Sequence, residues 1–290
     1  MAKGIFYSVL ASILFGCVYY LSVLLQPISG AALFGWRTLV TLPFVFLAVF
    51  LLGQQGMLRD FLIQLKKQPH LWFILLFTSA NMGVQMWLFL WAPVNGKAIE
   101  VSIGYLLLPL VMVMIGRCFF KERLSRIKAF AVFFAAMGVF SKIILTGVFS
   151  WETLLVCLGY PIYFSVRRYF KILHLSSFAI EMLLLLPISL YFAAQVDMAE
   201  VEAINPMIYW GVLLLGIIGG IALSAYILSS QILPINLLGL MGYLEPMAML
   251  VVSFLIGEIL ESNSYLLMVC LFISVSLLVF EGMMTIKLKK

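Results

Sequence analysis

Four charged residues stand inside long apolar stretches of this sequence: Arg37, Glu100, Glu181 and Glu245. An ionised side chain in the core of a bilayer costs a few kcal/mol or more, so such residues are functional candidates by default. Glu245 is the extreme case, because the stretch 235–257 holds no other charged residue. Its carboxyl group suits a proton site or a cation site. The alternative is a neutral glutamic acid that is hydrogen-bonded to a neighbouring helix for packing.

The neighbours of Glu245 are helix-breaking and small residues. Roughly ten residues, or ~15 Å of helix, separate it from the start of its predicted span, which places it near the middle of the bilayer. Gly239, Gly242 and Pro246 follow at helical spacing. The glycines allow another helix or a ligand to approach the backbone. Pro246 leaves the carbonyl of Gly242 without its usual partner, and so available to a side chain, a water molecule or a solute.

The other three charges lie nearer the ends of their predicted spans. Arg37 and Glu100 are both expected toward the outer face, and an ion pair between them would form either a gate or a static strut. Glu181 is expected at a similar depth from the inner face.

Uncharged polar residues also follow helical spacing. Thr78, Asn81 and Gln85 form a stripe that predicts a face lining an aqueous cavity, whereas Gly216, Gly220 and Ser224 predict helix packing. Tyr105 and Tyr243 offer aromatic walls to an organic solute or, alternatively, ordinary packing. No residues are predicted as catalytic groups or metal ligands.

Composition decides the environment that must position these residues. Of 290 residues, 64% are hydrophobic and 10% are charged, and the mean hydropathy is +1.16. Long apolar runs between short polar segments indicate a polytopic helical membrane protein. The excess of 18 Lys and Arg over 12 Asp and Glu indicates topology and contact with anionic lipid rather than nucleic-acid binding.

The apolar runs predict an all-α fold of ten transmembrane helices. Their predicted ranges are 4–24, 30–53, 71–92, 97–118, 127–147, 150–166, 176–194, 208–230, 235–257 and 264–285. With the N-terminus inside, nearly all Lys and Arg fall in inner loops, as cytoplasmic loops require. Both termini are therefore predicted to be cytoplasmic.

The two halves of the chain resemble each other. GCVYYLSV (16–23) matches GYPIYFSV (159–166), RTLVTLP (37–43) matches EMLLLLP (181–187), and GYLLLP (104–109) matches GYLEP (242–246). The third match pairs Gly104 with Gly242 and Pro109 with Pro246. Residues 1–147 and 148–290 are thus predicted to be two five-helix repeats. Because five is odd, the second repeat is inverted, an arrangement typical of alternating-access transporters.

These stretches resemble the EamA domain of the drug/metabolite transporter superfamily. WLFLWAPVN (87–95), AIEVSIGYLLLPL (98–110), KERL (121–124), YFSVRRYF (163–170) and IEMLLLLP (180–187) resemble its RarD group in particular. The resemblance implies a bacterial inner-membrane transporter of small organic metabolites. It also implies that a glutamate before this proline is common among relatives, which leaves Glu245 a generic structural or coupling role.

The prediction is therefore a secondary transporter that moves a small organic solute, without cofactor or nucleic acid, and is not an enzyme. Coupling to protons through Glu245 is a hypothesis. Two alternatives are a membrane enzyme and a non-transporting scaffold or receptor. The enzyme would need clustered acids, histidines or metal ligands, whereas His70 and His174 are the only histidines. The sequence leaves substrate, direction and oligomeric state open.

Overall fold

The computed structural model describes residues 2–119, 125–146, 149–233 and 241–287. Within these ranges the chain forms α-helices, one 3-10 turn at Ser262–Ser264 and no strand. The helices are α1 (Ala2–Leu24), α2 (Gly30–Leu51), α3 (Gln55–Lys67), α4 (His70–Val94), α5 (Ala98–Cys118), α6 (Arg126–Thr146), α7 (Trp151–Tyr169), α8 (Leu175–Leu184), α9 (Leu186–Ala193), α10 (Met198–Ile204), α11 (Ile208–Ile232), α12 (Leu244–Leu255) and α13 (Tyr265–Lys287).

Several of these helices can cross a bilayer. In the described part of the chain, five are long and apolar enough on their own, namely α1, α2, α4, α5 and α11. Helices α8 and α9 are bent by 48° and, taken as one broken span, make a sixth. The chain is therefore an all-helical, multi-pass membrane protein. The count of ten spans and the two inverted repeats stay predictions.

The break between α8 and α9 has a local cause. The sequence predicts one span over 176–194, but Pro187 stands at the start of α9. Proline has no N–H to donate to the carbonyl four residues earlier, that of Leu183, and its ring clashes with a continuing helix. The predicted single span is therefore two short helices.

Helix α3 lies between the predicted spans 30–53 and 71–92, in a segment predicted to be an inner loop. Phe61 and Leu65 of this helix are buried against Leu71 and Leu75 of α4 and against Ile180 of α8. The opposite face of α3 is exposed and carries basic residues in its last turn. Helix α3 is therefore amphipathic, and its apolar face attaches it to α4 and α8.

The most extensive helix contacts join the first half of the chain to the second. Helix α1 packs on α11, α2 on α11, α5 on α7, and α6 on α13. Glycine makes the α2–α11 approach possible: a Cβ added at Gly216 would lie 2.2 Å from Cγ1 of Val40, and one at Gly220 would lie 2.7 Å from Cβ of Phe44. The packing role predicted for these glycines is confirmed.

The outer surface of the bundle is strongly apolar. Large side chains that are more than half exposed occur on many helices, including Phe50, Phe73, Phe133, Ile144 and Trp210. A soluble surface rarely carries so much contiguous apolar area. These side chains therefore form the surface that meets lipid.

Candidate functional site

A small cavity lies between helices of the two predicted repeats. Its volume is about 30 Å³, enough for one or two water molecules. Helices α1, α4, α5, α7 and α11 and the start of α12 surround it, and its lining residues are Phe15, Met82, Tyr105, Leu108, Tyr160, Leu223, Tyr226, Gly242 and Glu245. The lining thus combines one carboxylate, three tyrosines and an apolar remainder.

The three tyrosines of the cavity belong to one aromatic cluster. The hydroxyl of Tyr105 donates a 2.9 Å hydrogen bond to the hydroxyl of Tyr160, which links α5 to α7. The ring of Phe164 stacks on Tyr160 and meets Tyr226 edge-on, with centroids 5.7 Å apart in the second pair. The ring of Phe15 contacts Tyr226 as well. The aromatic groups therefore hold four helices around the cavity.

Glu245 is the one ionisable carboxyl among the lining residues. It is 8% exposed, and no hydrogen bond or ion pair with another described residue occupies its oxygens. It interacts electrostatically with Arg37, although the charged atoms of the two side chains stay more than 4.0 Å apart. Its carboxyl group therefore lines the cavity without a hydrogen bond or ion pair to any residue that the structure describes.

The helical setting of Glu245 differs from the prediction. Helix α12 begins at Leu244, so Glu245 lies in its first turn, and Gly242 and Tyr243 form a turn before it. Pro246 consequently does not interrupt this helix, because a proline in the first turn lacks only an N–H that would have no intrahelical partner anyway. A carboxylate in the first turn also interacts favourably with the helix dipole. Gly239 lies outside the described residues.

Arg37 lies behind the cavity wall on α2. Its side chain is 2% exposed, and the guanidinium carbon lies 5.5 Å from the centre of the Phe89 ring. The Nε and Nη1 atoms have no hydrogen-bond partner among the described residues. The ring of Phe89 in turn contacts Tyr105 and Phe15 of the cavity lining, so this ring touches both the guanidinium and the cavity wall.

The predicted ion pair between Arg37 and Glu100 is wrong. Glu100 instead pairs with Lys97, one helical turn away, at 3.3 Å. The Glu100 side chain is partly exposed and lies in the first turn of α5. Arg37 lies in the first half of α2, and its side chain is buried. The charge of Glu100 raises the pKa of the Lys97 amine.

A second carboxylate caps α5 from another part of the chain. Glu258, which follows α12, accepts the backbone N–H of Ala98 at 2.9 Å with Oε1 and that of Ile99 at 2.8 Å with Oε2. Unpaired N–H groups at a helix N-terminus attract a carboxylate strongly. Even so, burial raises the pKa of the Glu258 carboxyl above its usual value.

The polar stripe on α4 was predicted to line a cavity, but its three residues are not among those that line this one. Thr78 donates to Oε1 of Glu181 at 2.7 Å, Asn81 donates to the carbonyl of Gly159 at 3.1 Å, and Gln85 donates to the carbonyl of Leu155 at 2.8 Å. Periodicity identified a polar face correctly, but these side chains attach α4 to α7 and α8. Of the residues around this stripe, Met82 is the one that lines the cavity.

Comparison with known proteins identifies the family. The EamA-like transporter family matches residues 2–144. An uncharacterized transporter of Pasteurella multocida (strain Pm70) is 54% identical over 287 residues, which is 99% of each chain. The chloramphenicol-sensitive protein RarD of Pseudomonas aeruginosa is 38% identical over 88% of this chain and 86% of its own. The chain belongs to the EamA-like transporter family.

A solved structure shares the fold of this EamA-like protein. A crystal structure matches it with a TM-score of 0.60, over 97% of this chain and 98% of the other, at 16% sequence identity. At that identity the likeness concerns the fold alone. In this family member, the charged and polar candidates from the sequence do not form one cluster. Glu245 lies at the cavity, whereas Glu181 lies in a separate buried network.

The second site is a buried network around Glu181. Oε1 accepts the hydroxyl proton of Thr78, and Oε2 accepts that of Tyr163 at 2.7 Å. The Nε atom of Arg167 lies 3.5 Å from Oε1. Arg167 is fully buried and donates further hydrogen bonds to Tyr163 and to the hydroxyl of Ser177. This network joins α4, α7 and α8.

Sequence reasoning assigned Arg167 to an inner loop with the exposed cations, because it follows an apolar run. Its spacing of four from Tyr163 places both on one helical face and is the signal that could have identified it. Tyr160 lies in GYPIYFSV (159–166), one of the matched motifs, but the sequence did not predict that it lines the cavity. Nothing in the sequence distinguished Tyr226.

The remaining predicted residues shape the backbone or lie elsewhere. A Cβ at Gly104 would lie 2.8 Å from Val156 and 2.9 Å from the carbonyl oxygen of Thr153, so this glycine allows α5 to approach α7. Pro109 lies inside α5. Tyr243 is buried in a cluster with residues of α5 and α13 and does not line the cavity. The described residues contain no group of three potential metal ligands.

Proposed function

We propose that this chain is a secondary transporter of the bacterial inner membrane that moves a small organic solute by alternating access. In this proposal both termini are cytoplasmic, residues 1–147 and 148–290 are inverted repeats, and the tyrosine-lined cavity is the solute site. The observation that carries the proposal is the position of Glu245. It is a buried carboxylate with no direct partner in the described part of the chain, and it lies in a cavity to which both halves contribute.

The size of the cavity supports a cycle of conformations. At about 30 Å³ it is far smaller than the pockets of several hundred Å³ that hold organic ligands. A solute can enter only if the helices around the cavity separate. The cap formed by Glu258 on α5 and the network of Arg167 with Glu181 lie at opposite ends of the bundle in the predicted topology. Each would have to open in turn.

Glu245 is proposed to couple transport to protons. A carboxyl group that faces a small cavity without a fixed partner can take up a proton when the cavity opens to one side and release it on the other. The names of the relatives support a transport role in general. An enzyme is a weaker candidate, because the described residues near the cavity include one carboxylate and no cluster of acids, histidines or cysteines.

The direct test uses purified protein in liposomes. A thermal-shift screen of metabolites selects solutes, and uptake is then measured with and without a pH gradient. Glu245→Gln should abolish the dependence on the gradient while it spares binding and solute exchange. Glu200→Gln, an exposed acid on α10, is the matched control and should retain it. Unchanged pH-driven uptake by Glu245→Gln would remove this residue from coupling. Failure of every solute to cross under any gradient would contradict the transporter proposal itself.

A further inference from the structure

The two fully buried arginines of the described chain have contrasting surroundings. Arg167 lies beside Glu181 and donates to a tyrosine hydroxyl, a serine hydroxyl and backbone carbonyls. Arg37 is equally buried, but no hydrogen bond or ion pair to a described residue involves it, and two of its nitrogens are buried without a partner. Burying an unpaired charge is among the costliest things a fold can do. The unpaired state of Arg37 therefore requires an explanation.

Arg37 is linked electrostatically to groups that line the cavity. It interacts electrostatically with Tyr160, Tyr105 and Glu245, all of which line the cavity. On α11, a Cβ at Gly219 would lie only 3.2 Å from its Nε, so this glycine lets the guanidinium pack closely against that helix. The guanidinium carbon lies over the face of the Phe89 ring, 5.5 Å from its centre. A cation–π contact is weaker than a bond to an anion and leaves the N–H groups unused.

We propose that Arg37 binds the anionic group of the transported solute, which is an organic monoanion with a carboxylate-type group and an apolar or aromatic body. This inference rests on the proposed function, because it assigns a substrate class to the same cavity. The planar guanidinium presents paired N–H groups that match the two oxygens of a carboxylate. The body of the solute lies among Tyr105, Tyr160 and Tyr226, and its anionic group displaces the Phe89 ring from Arg37.

Glu245 limits the number of negative groups that the solute is expected to carry. As the acid nearest to the anion site in the cavity, it repels a second negative group on the solute unless it is protonated. The site therefore favours one anionic group over two, and uptake of the anion together with a proton at Glu245 leaves the net charge of the cavity unchanged. Neutral and cationic solutes leave Arg37 unpaired and gain nothing from it.

The test compares three probes that share one carbon skeleton. They are 3-phenylpropionate, 3-phenylpropanamide and 3-phenylpropan-1-amine, measured by thermal shift and calorimetric titration with the full chain in detergent. We expect the carboxylate to bind at least tenfold more tightly than the amide or the amine. Equal binding of the three probes, tighter binding of the amine, or binding of none overturns the proposal. This comparison needs no variant and so does not depend on whether a variant folds.

Variants then assign the preference to a residue. Arg37→Gln should reduce the preference for the carboxylate over the amide to less than twofold, and Arg37→Lys should retain part of it. Arg59→Gln, an exposed position on α3, should leave it intact. A preference that survives in Arg37→Gln overturns the role of Arg37. Liposome uptake of the same probes separates the two proposals: transport without charge preference contradicts only the anion site, whereas binding of the carboxylate without transport contradicts only the transporter.

Discussion

The carboxylate of Glu258 caps the N-terminus of α5, where it accepts the backbone N–H of Ala98 at 2.9 Å. Its second oxygen accepts the next N–H, so a residue near the end of the chain completes a helix that begins about 160 residues earlier. The cap lies beside the ion pair of Lys97 with Glu100. The Glu258 side chain is half-buried, and this burial raises the pKa of its carboxyl group although two N–H groups donate to it.

The raised pKa of Glu258 predicts a pH effect on stability. The folded chain binds this proton more tightly than the unfolded chain does. The stability that this difference contributes is present below the ordinary pKa of a glutamate and is lost as the pH rises through the raised pKa. Glu258→Gln should remove this part of the pH dependence of the melting temperature. The measurement is a thermal melt in detergent over a pH series, with Glu200→Gln as control. A wild-type curve and a Glu258→Gln curve that stay parallel over the acidic range would contradict the prediction.

The network around Glu181 predicts a large loss of stability when one partner is removed. Arg167→Ala leaves a buried carboxylate without its cation and should reduce the free energy of unfolding by about 3–5 kcal/mol. The double variant Arg167→Met with Glu181→Leu should lose less stability than the sum of the losses in Arg167→Met alone and Glu181→Leu alone, because it removes both charges together. Arg59→Gln should change stability by less than about 0.5 kcal/mol. Additive effects in this cycle would show that the two residues are not coupled.

The glycine contact between α2 and α11 predicts a steric effect. Gly216→Ala places a methyl group 2.2 Å from Val40, and such overpacking should cost about 1–3 kcal/mol. Val40→Ala in the same chain should recover part of this loss. Gly56→Ala on α3 is the matched control, because nothing lies within 4 Å of its Cβ position. That change should be neutral or stabilising by up to about 1 kcal/mol. Equal effects at positions 216 and 56 would be evidence against close helix packing.

Tyr105 and Tyr243, which the predicted repeat pairs, should respond differently to loss of the hydroxyl. Tyr105→Phe removes the hydrogen bond to Tyr160 in the cavity wall and should lower stability by about 1 kcal/mol as well as change solute binding. Tyr243 has a buried hydroxyl with no partner among the described residues. Tyr243→Phe should therefore be neutral or stabilising and should leave binding unchanged. Melting curves and probe titrations of both variants check this, and a loss of binding in Tyr243→Phe would contradict the assignment of the cavity.

The sequence by itself determined the class of this protein and most of its helix positions. Runs of apolar residues long enough to cross a bilayer predict helices wherever they occur, because backbone polar groups in lipid must pair within their own segment. The predicted span 97–118 became α5 almost residue for residue. The resemblance to the EamA domain identified the family. Glu245 was singled out because a carboxylate is conspicuous in an apolar stretch; the structure places it in the lining of the cavity, and its role stays a prediction.

Only the tertiary structure decided which polar residues meet. The approximate depth in the membrane suggested Arg37 and Glu100 as partners, but depth does not determine the direction in which a side chain points or which helix lies opposite. Helix packing placed Arg167 beside Glu181 and left Arg37 without a hydrogen-bond or ion-pair partner among the residues that the structure describes. Helical spacing likewise identified the polar stripe of Thr78, Asn81 and Gln85, but not the helices that it contacts. Periodicity is a property of one helix, whereas a site is formed by the contacts between several.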